Sequence, residues 1–135
     1  MRSAVVLLLA GIAAAPVLLP EPYRFAEETL RQAERAALPY RRVWRSAMRG
    51  DAEAIRRLLL FKSDAAGGLF HGVDVTAVID RIGEAPVARV IASLERKDRE
   101  WVRCLLGVGV AYGKRDAEPA DAPRLYPRCW AAASP

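Results

Sequence analysis

A chain of 135 residues, 53% of them hydrophobic, is long enough for one domain around a single apolar core and too short for two independent ones. The net charge of +5 is mild. One histidine and two cysteines exclude a metal centre built on several such ligands, and any Ser-His-Asp arrangement would have to depend on His71.

The chain opens with Met1, Arg2 and Ser3, followed by an unbroken apolar run from Ala4 to Ala15 that ends in Ala13-Ala14-Ala15. This is the pattern of a signal peptide over residues 1–15. It predicts a periplasmic or secreted protein, and the Ala- and Arg-rich vocabulary points to a bacterial source. In that compartment thiols oxidise and nucleic acid is not an expected partner. Pro16 fixes φ just past Ala15 and disfavours a cut there, so Ala13 and Ala14 are alternative cleavage points. Left uncut, the apolar stretch from Ala4 to Leu19 is shorter than the roughly 20 residues of a stable span, and membrane contact would come only through that uncleaved N-terminus. No cysteine stands near enough for lipid attachment at a new N-terminus.

Residues 21–113 read as a helical domain. Tyr23, Ala26, Leu30, Ala33 and Ala37 recur at helical spacing, with Glu27 and Arg31 one turn apart, until Pro39. Tyr40, Val43, Trp44, Ala47 and Met48 then share a stripe opposite Arg41, Arg42, Arg45 and Arg49, the cleanest amphipathic signal in the chain. Gly50 closes that helix and Asp51 caps the next, whose stripe is Ile55, Leu58 and Leu59. From Lys62 to Val73 no period survives, and the pair Gly67-Gly68 predicts a loop carrying His71. Asp74 is expected to cap a helix with Val75, Val78, Ile79 and Ile82 on one side, ended by Gly83. Pro86 is expected to start another with Val87, Val90, Ile91 and Leu94, and Asp98 to cap a last one containing Trp101, Leu105 and Val108. Gly107 and Gly109 weaken that last helix by about 1 kcal/mol each relative to alanine, a cost that close helix packing would repay.

Residues 114–135 hold Pro119, Pro123, Pro127 and Pro135 and read as an irregular Pro-rich tail. Cys104 and Cys129 are expected to form a disulfide that tethers the tail, worth about 3.5 kcal/mol on loop entropy, with Trp130 packed against it. Six segments carry the helical period and none alternates like a strand. The predicted fold is all-α, a compact bundle of about five to six short helices.

Gly50-Asp51-Ala52-Glu53-Ala54-Ile55-Arg56-Arg57-Leu58-Leu59 aligns with Lys97-Asp98-Arg99-Glu100-Trp101-Val102-Arg103-Cys104-Leu105-Leu106 at an offset of 47. The offset resembles that of HEAT-type repeats, and the first copy also resembles the second helix of an ankyrin repeat. The Thr-Pro-Leu-His turn and the 33-residue recurrence of ankyrin repeats are absent from the chain. What the resemblance implies is a helix-pair interaction scaffold with HEAT-like stacking.

Gly67-Gly68 lacks the Lys and Ser/Thr of a phosphate loop. The carboxylates Glu27, Glu28, Glu34, Glu84 and Glu100 mostly lie one turn from an arginine, which favours surface pairing over a raised catalytic pKa. No cofactor or metal is expected. The leading expectation is an exported protein-binding or envelope-assembly module, with Arg41, Arg42, Arg45, Arg49 and His71 as its interaction surface. The alternatives are an envelope hydrolase using His71 with Asp64 or Asp74, or a carboxylate pair, and a carrier of a small apolar ligand.

Overall fold

The computed structural model describes residues 23–135, so the expected leader and its cleavage point lie outside the described residues. Every regular element among those residues is helical: α1 Glu27–Arg35, α2 Tyr40–Ala47, α3 Ala52–Leu60, α4 Ala65–Ile82, α5 Glu84–Ala92, α6 Arg96–Gly113, a 3-10 turn Pro119–Asp121, α7 Ala122–Leu125 and α8 Pro127–Ala132. The all-α expectation holds. The apolar stripes meet in one core, in which Ile55, Leu58, Leu59, Val78, Ile91, Leu105 and Leu106 are buried.

Several boundaries follow the capping chemistry read from the residues. Gly50 sits at φ +84 and Gly83 at φ +83, in the left-handed region that glycine occupies without strain. Asp51 accepts a hydrogen bond from the Ala54 amide at 2.7 Å and so caps α3. Glu27 pairs with Arg31 across one turn of α1 at 3.4 Å, on the exposed side.

Other boundaries differ. The stretch 62–73 is not a loop, because α4 begins at Ala65 and runs through both glycines, which puts Asp74 in mid-helix instead of at a cap. Glycine is there for room: a methyl on Gly67 would sit 2.6 Å from Gln32 Nε2, and one on Gly72 would sit 2.9 Å from the Leu105 carbonyl oxygen. Helix α5 starts two residues before Pro86, at Glu84. Helix α6 starts at Arg96, so Asp98 lies in its first turn and reaches Lys62 Nζ at 3.1 Å. The two copies of the internal echo are therefore both helical, but their aspartates do different work.

Helices α4 and α6 form the longest packed pair. At their crossing Gly109 faces the Gly72 carbonyl oxygen and the side chain of Thr76 so closely that an added methyl would overlap both. The spare room expected from Gly109 is thus used for backbone approach. Helix α2 packs on α3, and α5 packs on α8.

The disulfide expectation is overturned. Cys104 and Cys129 are both free thiols, the first exposed on α6 and the second buried on α8. The tail is ordered by packing instead. Ala122, Tyr126, Cys129 and Ala133 are buried, the Tyr126 hydroxyl donates to Asp80 Oδ1 at 2.8 Å, and the Cys129 amide donates to Glu84 Oε2 at 2.7 Å. Trp130 lies not against a bridge but under the Arg103 guanidinium, 4.7 Å from the ring centroid. Burial, with the Glu84 carboxylate next, pushes the Cys129 thiol up to about 12. A thiol reagent should accordingly label Cys104 in the native protein and Cys129 only after unfolding, in unreduced samples; fewer than two thiols in the unfolded chain would restore the bridge.

Candidate functional site

The sequence singled out His71 and Asp74, and the structure brings them together in the core. Both project from one side of α4, three residues apart, with His71 0% and Asp74 3% exposed. His71 Nε2 lies 3.0 Å from the Leu58 carbonyl oxygen at the end of α3, and Nδ1 lies 2.7 Å from the Tyr40 hydroxyl. That hydroxyl lies 2.8 Å from Asp74 Oδ2, to which it donates while the carboxyl is ionised. Tyr23, just before α1, donates to Asp74 Oδ1 at 2.6 Å, and the Trp44 indole donates to the Asp74 carbonyl at 3.0 Å.

An aromatic shell surrounds these polar atoms. Tyr23 stacks on Trp44 at 4.5 Å, Phe25 meets Tyr40 and Trp44 edge-on, and Phe61 meets the His71 ring edge-on at 5.0 Å. The shell removes water, and the ionisation of the enclosed groups shifts accordingly. Burial holds the His71 ring down at about 4 against the counter-pull of its contact with Leu58. Burial raises the Asp74 carboxyl to about 6, against the lowering effect of the Tyr23 and Tyr40 hydroxyls. Tyr40 and Tyr23 are both raised, first by burial and then by the adjacent Asp74 charge.

A histidine closed off in this way cannot meet a substrate or a partner. His71 therefore leaves the expected interaction surface, for the physical reason that α4 carries it inward and not on a loop. Asp64, proposed as its possible companion, is exposed at the start of α4, where its carbonyl and amide are held by the Gln32 side chain. Tyr23 and Tyr40 complete the network, although in the sequence they read only as apolar stripe positions. The usable signal was His71, Asp74, Val75 and Val78 at i, i+3, i+4 and i+7, which becomes visible once the helix is carried back through Gly67-Gly68.

The arginines behave differently. Arg41, Arg42 and Arg45 are exposed on α2, and none meets a carboxylate among the described residues. Arg49 lies past the end of α2 and donates to Ser46 Oγ at 3.2 Å. Arg41, Arg42 and Arg45 border an open depression of about 520 Å³ that is also lined by Leu30, Leu38, Pro39, Tyr40 and Glu34. The depression lies between α1 and α2, where the turn at Leu38-Pro39 separates the two helices. Among the described residues no group of three or more His, Cys, Asp and Glu could hold a metal ion, and no helix is long and apolar enough to cross a membrane.

Comparison with protein families, with curated proteins and with solved structures finds no match to this chain.

Proposed function

We propose that this chain is an exported helical adaptor that binds a protein partner through the arginine-rimmed depression of α2. The observation that carries the reading is the combination of three guanidiniums lacking carboxylate partners among the described residues with an apolar lining beside them. Three positive groups around an apolar concavity suit a peptide segment that sets two or three carboxylates against the arginines and one apolar side chain against that lining. Export is supported by the Arg2-led apolar run ahead of the described residues. The hydrolase alternative loses support from the burial of His71 and Asp74.

Crosslinking in intact cells, followed by purification of the full chain, tests the reading. The wild-type chain should retain an acidic partner in stoichiometric yield. The Arg41→Glu, Arg45→Glu double variant should lose that partner at least tenfold with an unchanged melting temperature, since both side chains are exposed. Equal recovery by both proteins overturns the proposal. So does salt-sensitive binding of the purified chain to phosphatidylglycerol vesicles in place of any protein partner.

A further inference from the structure

Asp74, Tyr40 and His71 make a chain of two short contacts, 2.8 Å from Oδ2 to the hydroxyl oxygen and 2.7 Å from that oxygen to Nδ1. Each contact of this length needs a hydrogen between its two heteroatoms, and Tyr40 owns only one. The second hydrogen must come from an end of the chain. At the histidine end, Nε2 faces the Leu58 carbonyl oxygen, which offers only lone pairs, so Nε2 carries a hydrogen and Nδ1 of a neutral ring has none to give. We infer that the Asp74–Tyr40–His71 chain binds one proton beyond the hydroxyl's own, and that this shared proton is a pH-sensitive lock holding Tyr40 against α4.

Two arrangements satisfy both contacts when the proton is present. In the first, the Asp74 carboxyl donates from Oδ2 to Tyr40, whose hydroxyl donates to Nδ1. In the second, Nδ1–H donates to Tyr40, whose hydroxyl donates to the carboxylate. They interconvert when each of the two hydrogens moves one place along the chain, with no proton gained or lost. The dry surroundings favour the uncharged arrangement. Once the proton leaves, a carboxylate and a neutral ring remain, Tyr40 donates to the stronger acceptor, and the lone pairs of its oxygen and of Nδ1 face each other. That contact then opens.

The groups facing the chain are few. Tyr23 from the segment before α1 reaches Oδ1, Tyr40 comes from α2, and α3 presents only the Leu58 carbonyl. Trp44 reaches the main chain of Asp74, and Arg41, Arg42 and Arg45 on the far side of α2 are exposed. Desolvation and the tyrosine hydroxyls account for the Asp74 shift, and desolvation and Leu58 for that of His71.

Asp74 is raised from 3.8 to about 6, so its contribution to stability is complete below 3.8 and is lost as pH rises through 6. His71 is lowered from 6.5 to about 4, so its contribution is complete above 6.5 and is lost as pH falls towards 4. Between about 4 and 6 the folded chain carries the proton on Asp74 and the unfolded chain carries it on His71, so the wild type should show little pH dependence there. Asp74→Asn should make the folding equilibrium constant rise about tenfold per pH unit from 4 towards 6.5, because only the unfolded chain then takes up a proton. His71→Gln should make it fall about tenfold per pH unit between 3.8 and 6.

The deciding experiment is nitrogen NMR of the full chain, in which His71 is the only histidine. The wild-type ring should be neutral at pH 5 with the hydrogen on Nε2 and a strongly hydrogen-bonded Nδ1, and the Nδ1 resonance should move as pH rises through about 6. In Asp74→Asn the amide N–H₂ replaces the carboxyl hydrogen permanently, and the Nδ1 resonance should stay put over the same range. A wild-type ring that titrates near 6.5, carries its hydrogen on Nδ1 when neutral, or shows an Nδ1 resonance indifferent to pH around 6 overturns the inference without recourse to any variant.

Discussion

Gly109→Ala should lower the stability of the domain by about 3 kcal/mol, although alanine is the better helix former by about 1 kcal/mol. The decisive term is steric. The new methyl would occupy the same space as the Gly72 carbonyl oxygen and the Thr76 side chain, one of them backbone of a packed helix that cannot rotate away. Relief requires α4 and α6 to separate along their 18-residue lengths, which loosens the core around Val78, Leu105 and Leu106. Gly107, two residues away on α6, supplies the control. A methyl there would meet Pro119 at an ordinary 3.4 Å, so Gly107→Ala should be neutral or stabilise by up to about 1 kcal/mol. Urea denaturation midpoints of the two variants give the comparison. A Gly109→Ala protein as stable as the wild type would mean that the helices do not cross there.

The second large effect is expected at His71. Truncation to alanine removes a ring that is 0% exposed, leaves a void between Phe61 and Tyr40, and strands the Leu58 carbonyl inside the core. These losses together should cost about 3 to 4 kcal/mol, a large share of the roughly 5 to 15 kcal/mol that holds a domain together. Glutamine, which can donate to Leu58 and accept from Tyr40, should recover part of the loss. The same denaturation measurement separates the structural role from the catalytic one considered at the outset, because a histidine kept for substrate is removable at little expense to folding.

How far the residues themselves announced this architecture depends on which signal each segment carries. Helix α2 was legible because Tyr40, Val43, Trp44 and Ala47 are all buried while the intervening arginines are exposed, a pattern that only the 3.6-residue period explains. The start of α4 was not legible. Glycine reports backbone freedom and close packing with the same letter, and at Gly67 and Gly72 the second meaning applies. The tail misled for a similar reason. Pro119 and Pro127 stand at the first positions of short helical turns, where a missing amide hydrogen costs nothing, whereas counted without context they read as breakers.

The site divides the same way. The arginine face follows from helical spacing alone. The network does not, because two of its members lie far from α4 in sequence: Tyr23 is 51 residues from Asp74 and Tyr40 is 31 from His71. Nothing local to a tyrosine marks its hydroxyl as the partner of a distant carboxyl. The cysteines show the converse error, since an even count invites pairing, while α6 points Cys104 to solvent and α8 turns Cys129 towards Glu84.

The docking of α8 on α5 bears on how the molecule is made. Val87, Val90 and Ile91 of α5 belong to the same core as Ala122, Tyr126, Cys129 and Ala133. Until residues 122–133 dock, that side of α5 stays bare, so the native core is completed only when α7 and α8 settle onto the rest of the bundle. A molecule from which α8 has detached presents an oily ridge that chaperones and proteases recognise, which makes the opening of this one contact the vulnerable moment in the life of the folded protein.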